Sequence, residues 1–201
     1  FSQSFALIAL KKAGVAQSKN SIGFLKLQQC PNGGFREQEA DTACSDNTKA
    51  DPDATAIAIQ GLAATPSNAD RSARISKAAK YLISLQNSGG GVKGGPGEIP
   101  NANTTGLAAL SLYTAGKYTA AAKARRFLTV TRFGCGFPAP MRGLIAYDKA
   151  RYAEAKSQGA AAVATDQDRR ASTQAALGLA KIAIFRISNA NAVAGMPKQS
   201  C

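Results

Sequence analysis

The sequence predicts an all-α fold, an arc or incomplete ring of about four pairs of inner and outer helices, and three observations carry that expectation. Alanine fills 41 of 201 positions; it is the best helix former and lets helix backbones approach closely. Segments of the form aromatic, Leu and a few further residues, closing in a glycine-rich turn, recur along the chain. Between them lie stretches almost free of charge, so two kinds of helix alternate.

Taken in order, Ser4 to Ala13 is the first low-charge helix, and Phe24 to Phe35 supplies the end of a second helix and a turn at Gly33-Gly34. Asp53 to Ala64 carries no charge after its first residue, which marks a helix buried nearly all round. Arg71 to Gln86 instead puts Ile75, Ala78, Ala79, Leu82 and Leu85 on one stripe, with Arg71, Arg74, Lys77 and Lys80 on another. The first is an inner helix and the second an outer one. The run from Tyr81 to Val92 repeats the glycine turn, with Gly91 placed like Gly34. Asn103 to Ala115 is the next inner helix, Phe127 to Phe137 a shorter version of the turn, and Ala171 to Ile184 the last inner helix. The chain is long enough for one domain with a sizeable core. One domain is expected over 1–201, with repeats near 1–50, 51–100, 101–138 and 139–190 and a tail at 191–201.

Lys77-Ala78-Ala79-Lys80-Tyr81-Leu82-Ile83-Ser84-Leu85-Gln86 followed by Gly90-Gly91, and the parallel segment Phe24 to Phe35, resemble the prenyltransferase and squalene oxidase repeat of the α/α-toroid superfamily. That superfamily holds terpenoid cyclases, protein prenyltransferases, cobalamin carriers, complement thioester domains and secreted bacterial repeat proteins without assigned activity. The resemblance is closest to the last group. It implies an α/α-toroid. Since family members usually close a ring with six pairs, four pairs imply an open arc or further repeats upstream.

Lys and Arg number 25 against 12 Asp and Glu, a net charge of +13, and there is no histidine. The absence of His excludes Ser-His-Asp, Cys-His and His-ligated zinc chemistry. No apolar run approaches the 18 residues of a membrane span. The basic residues fall mainly on outer helices, as with Lys123, Arg125, Arg126 and Arg132, or Lys149, Arg151 and Lys156. An excess of this size attracts polyanions, so an anionic cell-wall polymer or lipid surface is an expected partner, while no nucleic-acid motif is present. The four cysteines lack metal spacing and predict two disulfides, Cys30–Cys44 and Cys135–Cys201, and with them an extracellular or cell-surface location. Phe1 in place of an initiating Met is read as the mark of a processed, exported chain.

Asp51-Pro52-Asp53-Ala54-Thr55-Ala56 is the sharpest motif. Class II terpene cyclases of the superfamily carry Asp-x-Asp-Asp-Thr-Ala at the start of an inner helix; Asp53 matches their proton donor and Asp51 its partner, while Ala54 replaces the last Asp. An Asp in a first helical turn also caps the helix and complements its dipole. The expectation for Asp53 is the cap, with a depressed pKa. Asp166-Gln167-Asp168 repeats the pattern before the last inner helix. Asn103-Thr104-Thr105 fits both a cap and the glycosylation signal. Gly134-Cys135-Gly136 is similar to the complement thioester motif, but Pro138 stands where that motif needs Gln. The candidate ligand-binding residues are Asp51, Asp53, Thr55, Asn103, Asp166 and Asp168, with no cofactor and no metal implied. The expected function is a secreted or cell-surface module that binds a small molecule or surface ligand without transforming it. The alternatives are a cyclase-like enzyme using Asp53, and a structural or adhesive surface protein.

Overall fold

The computed structural model describes residues 1–95 and 97–188, and the elements in them are α-helices apart from one short β-ladder and a few 3-10 turns. The helices are α1 (Ser2–Lys12), α2 (Lys19–Leu27), α3 (Pro52–Ala64), α4 (Ala69–Ser84), α5 (Ala102–Thr114), α6 (Tyr118–Val130), α7 (Lys149–Gln158) and α8 (Asp166–Ala180). Strands β1 (Phe35–Arg36) and β2 (Ala50–Asp51) pair antiparallel.

The two helix types separate by burial. From Ala54 onward, α3 buries every residue but Ala63, and α5 is buried continuously from Thr104 to Leu112. On α4 only Ala78, Ala79 and Leu82 are buried, with Ile75 and Leu85 packed at the core's edge. Helices α1, α3, α5 and α8 lie side by side in that order, while α4 backs α3 and α6 backs α5. Asp53 faces Thr104, and Gln60 donates to Ser111 and Thr114, so α3 and α5 run the same way. Gly106 abuts Ala175 and Gly178 abuts Ala109, which sets α8 parallel to α5.

Each glycine turn is closed by a backbone bridge, Gln29 to Phe35 and Gln86 to Val92. Gly33 and Gly90 carry the positive φ, at 97° and 91°, that lets the chain reverse without strain. Gly34 and Gly91 occupy equivalent places, Gly34 under Ala50 and Tyr81, Gly91 under Pro100 and Phe127.

The third turn differs from the sequence expectation. Its bridge joins Arg132 to Ile145, so Ile145 rather than Phe137 matches Phe35 and Val92, and Gly143 (φ 90°) matches Gly33 and Gly90. The intervening residues form a small core of their own, in which Phe133, Phe137 and Met141 pack with Ala155 of α7. Helix α7 follows this insertion and leads into α8, in the order that the sequence reading gives for the basic outer helix and the last inner helix. The last inner helix ends at Ala180, short of the expected Ile184, because Lys181 turns left-handed and the chain folds back.

Cys30 and Cys44 form a disulfide, as their spacing predicts. No described cysteine is free, and the expected partner of Cys135, Cys201, lies outside the described residues.

Candidate functional site

Three inner helices begin on one repeated device. Asp51 caps α3 by accepting the Ala54 N–H at 2.6 Å, and Asn101 caps α5 by accepting the Thr104 N–H at 3.0 Å. Four residues beyond the caps of α3 and α5, and seven beyond the Thr165 cap of α8, a hydroxyl accepts the N–H of the residue that closes the preceding turn. Phe35 donates to Thr55 at 2.7 Å, Val92 to Thr105 at 2.9 Å, and Ile145 to Ser172 at 2.8 Å. Thr55 is thus spent on joining turn to helix, since its hydroxyl also donates to the Asp51 carbonyl at 2.6 Å.

The expectation that Asp53 caps its helix is corrected by this register. Pro52 takes the first helical position, where its missing N–H is harmless, and that makes Asp51 the cap. Asn103 is displaced from the cap of α5 in the same way, because Asn101 holds that place.

Released from capping, Asp53 sits in the first turn with its Oδ1 buried and lacking a hydrogen-bond partner. Its pKa is raised to about 6, not depressed: burial is the main cause, the Thr104 hydroxyl opposes it, and the charges of Asp51, Glu98 and Glu37 add to it. Asp51 is also raised, by burial first, against the hydrogen bond from Ala54 and with Glu37 and Glu98 contributing. A helix N-terminus favours an anion by about 0.3–1 kcal/mol. Burial and mutual repulsion among carboxyl groups outweigh that here.

Three of these carboxyl groups, Glu37, Asp51 and Glu98, line a cleft of about 620 Å³ whose walls also include Lys49, Gly94 and Gly95. Asp53 lies behind this lining, next to Asp51. Glu37 is carried in on the loop that the Cys30–Cys44 disulfide ties down. Arg36 and Glu39 also border the cleft, but both are engaged. The Arg36 guanidinium donates to Gln28 Oε1 at 2.8 Å and to the Ala40 carbonyl at 3.0 Å, and Glu39 accepts the Gln3 N–H at 3.2 Å. No three of the acidic or cysteine side chains among the described residues converge as a metal site would require. Among the described residues the cleft also has no aromatic wall.

A scan of protein-family models and a search of curated proteins found nothing that matches this chain.

The remaining residues singled out from the sequence lie elsewhere. Asp166 is exposed and pairs with Arg170 at 2.9 Å. Asp168 is fully buried, closes a capping box with Thr165, and meets Arg151 at 3.1 Å. Neither lines the cleft, and Asn103, with its Oδ1 buried and without a partner, does not line it either. Sequence reasoning missed Glu37 and Glu98. Both come from glycine-rich or polar loops, and the available signal was their sign: they are acidic residues in a chain where bases outnumber acids two to one.

Proposed function

We propose that this chain is an α/α-toroid repeat domain acting outside the cytoplasm as a binding module, and that its ligand is a small organic cation held in the acidic cleft. The side-by-side, parallel inner helices support the toroid reading, and the Cys30–Cys44 disulfide supports an oxidising compartment. The observation that carries the ligand class is the charge reversal. A protein of net charge +13 gathers Glu37, Asp51 and Glu98 on one cleft and buries the under-bonded carboxyl of Asp53 behind them. With no aromatic ring in the wall, a quaternary ammonium has no cage to enter. A primary ammonium or guanidinium, which donates hydrogen bonds to separated carboxylates, fits the chemistry better.

Calorimetric titration with 1,4-diaminobutane tests this. The overall charge repels a dication, so measurable binding reports the cleft alone. Binding is expected at pH 7.5 and should weaken by about tenfold at pH 5, where Asp53 takes up its proton. In Asp53→Asn the pH dependence should shrink to the part that Asp51 contributes. Diamine affinity no greater than that of sodium, or an unchanged pH profile in Asp53→Asn, overturns the reading.

One observation favours the catalytic alternative: Asp53 is a half-buried carboxyl with a raised pKa, the state that a proton donor requires. Conversion of squalene or a linear prenyl diphosphate, lost in folded Asp53→Asn, would establish it. The cleft offers no π-faces to steady a carbocation, which is why binding is the preferred reading.

A further inference from the structure

A second cavity, of about 570 Å³, lies at the opposite ends of the inner helices and has the opposite charge. Its walls include Arg71, Lys181 and Arg186 together with the rings of Tyr113, Tyr118 and Phe185 and, among the described residues, no carboxyl group. The chain leaving α8 builds one side of it. Ile184 donates its N–H to Gln60 Oε1 at 3.1 Å, and Lys12 donates to the Ile187 carbonyl, so this returning segment is fastened at both ends.

Cations at helix C-termini are ordinary, because they answer the negative end of the dipole. Arg71 does part of that work, donating to the Thr65 carbonyl at 2.8 Å and to Ser67 Oγ at 2.9 Å. Two observations go beyond it. Arg71 Nε is buried with no acceptor, a donor left over after the helix end is satisfied. Lys181 is the one non-glycine residue with positive φ among the described residues, at 55°. A left-handed helix terminus favours glycine, so the lysine there carries backbone strain, and it carries it at the edge of this cavity.

The aromatic side of the cavity is equally ordered. Tyr113 and Tyr118 meet edge to face at 5.3 Å, Arg186 lies over the Phe185 ring at 5.5 Å, and Tyr118 remains 63% exposed. Exposed rings beside cations match a ligand that is flat and apolar at one end and anionic at the other.

We propose that this cavity binds a small aromatic phosphate, its ring against Tyr113 and Tyr118 and its phosphate between Arg71 and Lys181. The volume falls within the range of small-molecule sites. This site is independent of the acidic cleft and of its reading.

Titration of the full chain with phenyl phosphate, followed by NMR shifts of Tyr118, Lys181 and Phe185 amides, tests the proposal. Phenyl phosphate should bind at least about tenfold more tightly than inorganic phosphate or phenol, a difference well above experimental scatter. Lys181→Gly relieves the strained backbone, so its melting temperature should hold or rise while phenyl phosphate affinity falls. Lys80→Gln, an equal charge change on exposed α4, should leave that affinity unchanged. Equal affinities for phenyl phosphate and inorganic phosphate, or equal losses in the two lysine variants, would show only attraction to a basic surface and overturn the proposal.

Discussion

Asp53 lies one residue into α3, where the peptide dipoles favour a charged carboxyl, yet its pKa rises to about 6. In the pH range between its ordinary value and 6, the folded state holds a proton that the unfolded state has lost. Stability therefore falls as pH climbs from about 4 to about 6, then levels. The shift of roughly two units corresponds to about 3 kcal/mol at most. Asp53→Asn removes the charge but keeps shape, so it is expected to stabilise the protein at pH 7.5 by up to about that amount and to be neutral near pH 4. Thermal melts of both proteins across that range check it; a destabilised variant at pH 7.5 contradicts the assignment. The Asp-x-Asp motif was legible in the sequence, and so was its place at a helix start. The division of labour turns on Pro52: a proline at the first helical position designates the residue before it as the cap, which makes Asp51 the cap and frees Asp53. The electrostatic state of Asp53 depends on Glu37 and Glu98, which arrive from loops that no local pattern brings together.

At the scale of elements, the repeat is more than a rhythm of glycines. Turn and inner helix are fastened by one hydroxyl, supplied in turn by Thr55, Thr105 and Ser172. Val92 is fully buried, so its N–H has only Thr105 to donate to. Thr105→Val is nearly isosteric but removes the acceptor, and a loss of about 1–3 kcal/mol is expected, the cost of an unpaired buried donor. Thr105→Ser should recover most of it. Denaturant unfolding of the two variants separates the hydrogen bond from the packing, and a Thr105→Val variant as stable as the parent would show that the Val92 N–H does not depend on the hydroxyl. Inner and outer helices were readable from charge alone, since helix period and alanine content survive without tertiary information. The third turn was not. Gly134-Cys135-Gly136 mimics the short turn in sequence, whereas the structure spends those residues on a separate small core and closes the turn at Gly143.

Across the whole molecule, the closeness of the inner helices decides which small residues are needed. Where α5 crosses α8, a methyl group added at Gly106 would lie 2.6 Å from the Ala175 Cα and from the Gln174 carbonyl, both backbone atoms that cannot step aside. Gly23, in α2, has nothing within 4 Å of the same added atom. Both glycines lie inside helices, and only the packing tells them apart. At Gly23 the usual helix preference rules, so Gly23→Ala is expected to add up to about 1 kcal/mol of stability. At Gly106 the same preference is overruled by overlap with α8. Gly106→Val is expected to cost about 3 kcal/mol, near the upper range for overpacking. Displacement of α8 also shifts the segment from Lys181 to Ile187, which returns to α3 and α1 through Gln60 and Lys12, so the loss should spread beyond one helix pair. Hydrogen exchange of Gly106→Val checks this: protection should fall in α1 and α3 as well as in α5 and α8. Loss confined to α8 would mean that the inner helices are stable pairs rather than one cooperative stack.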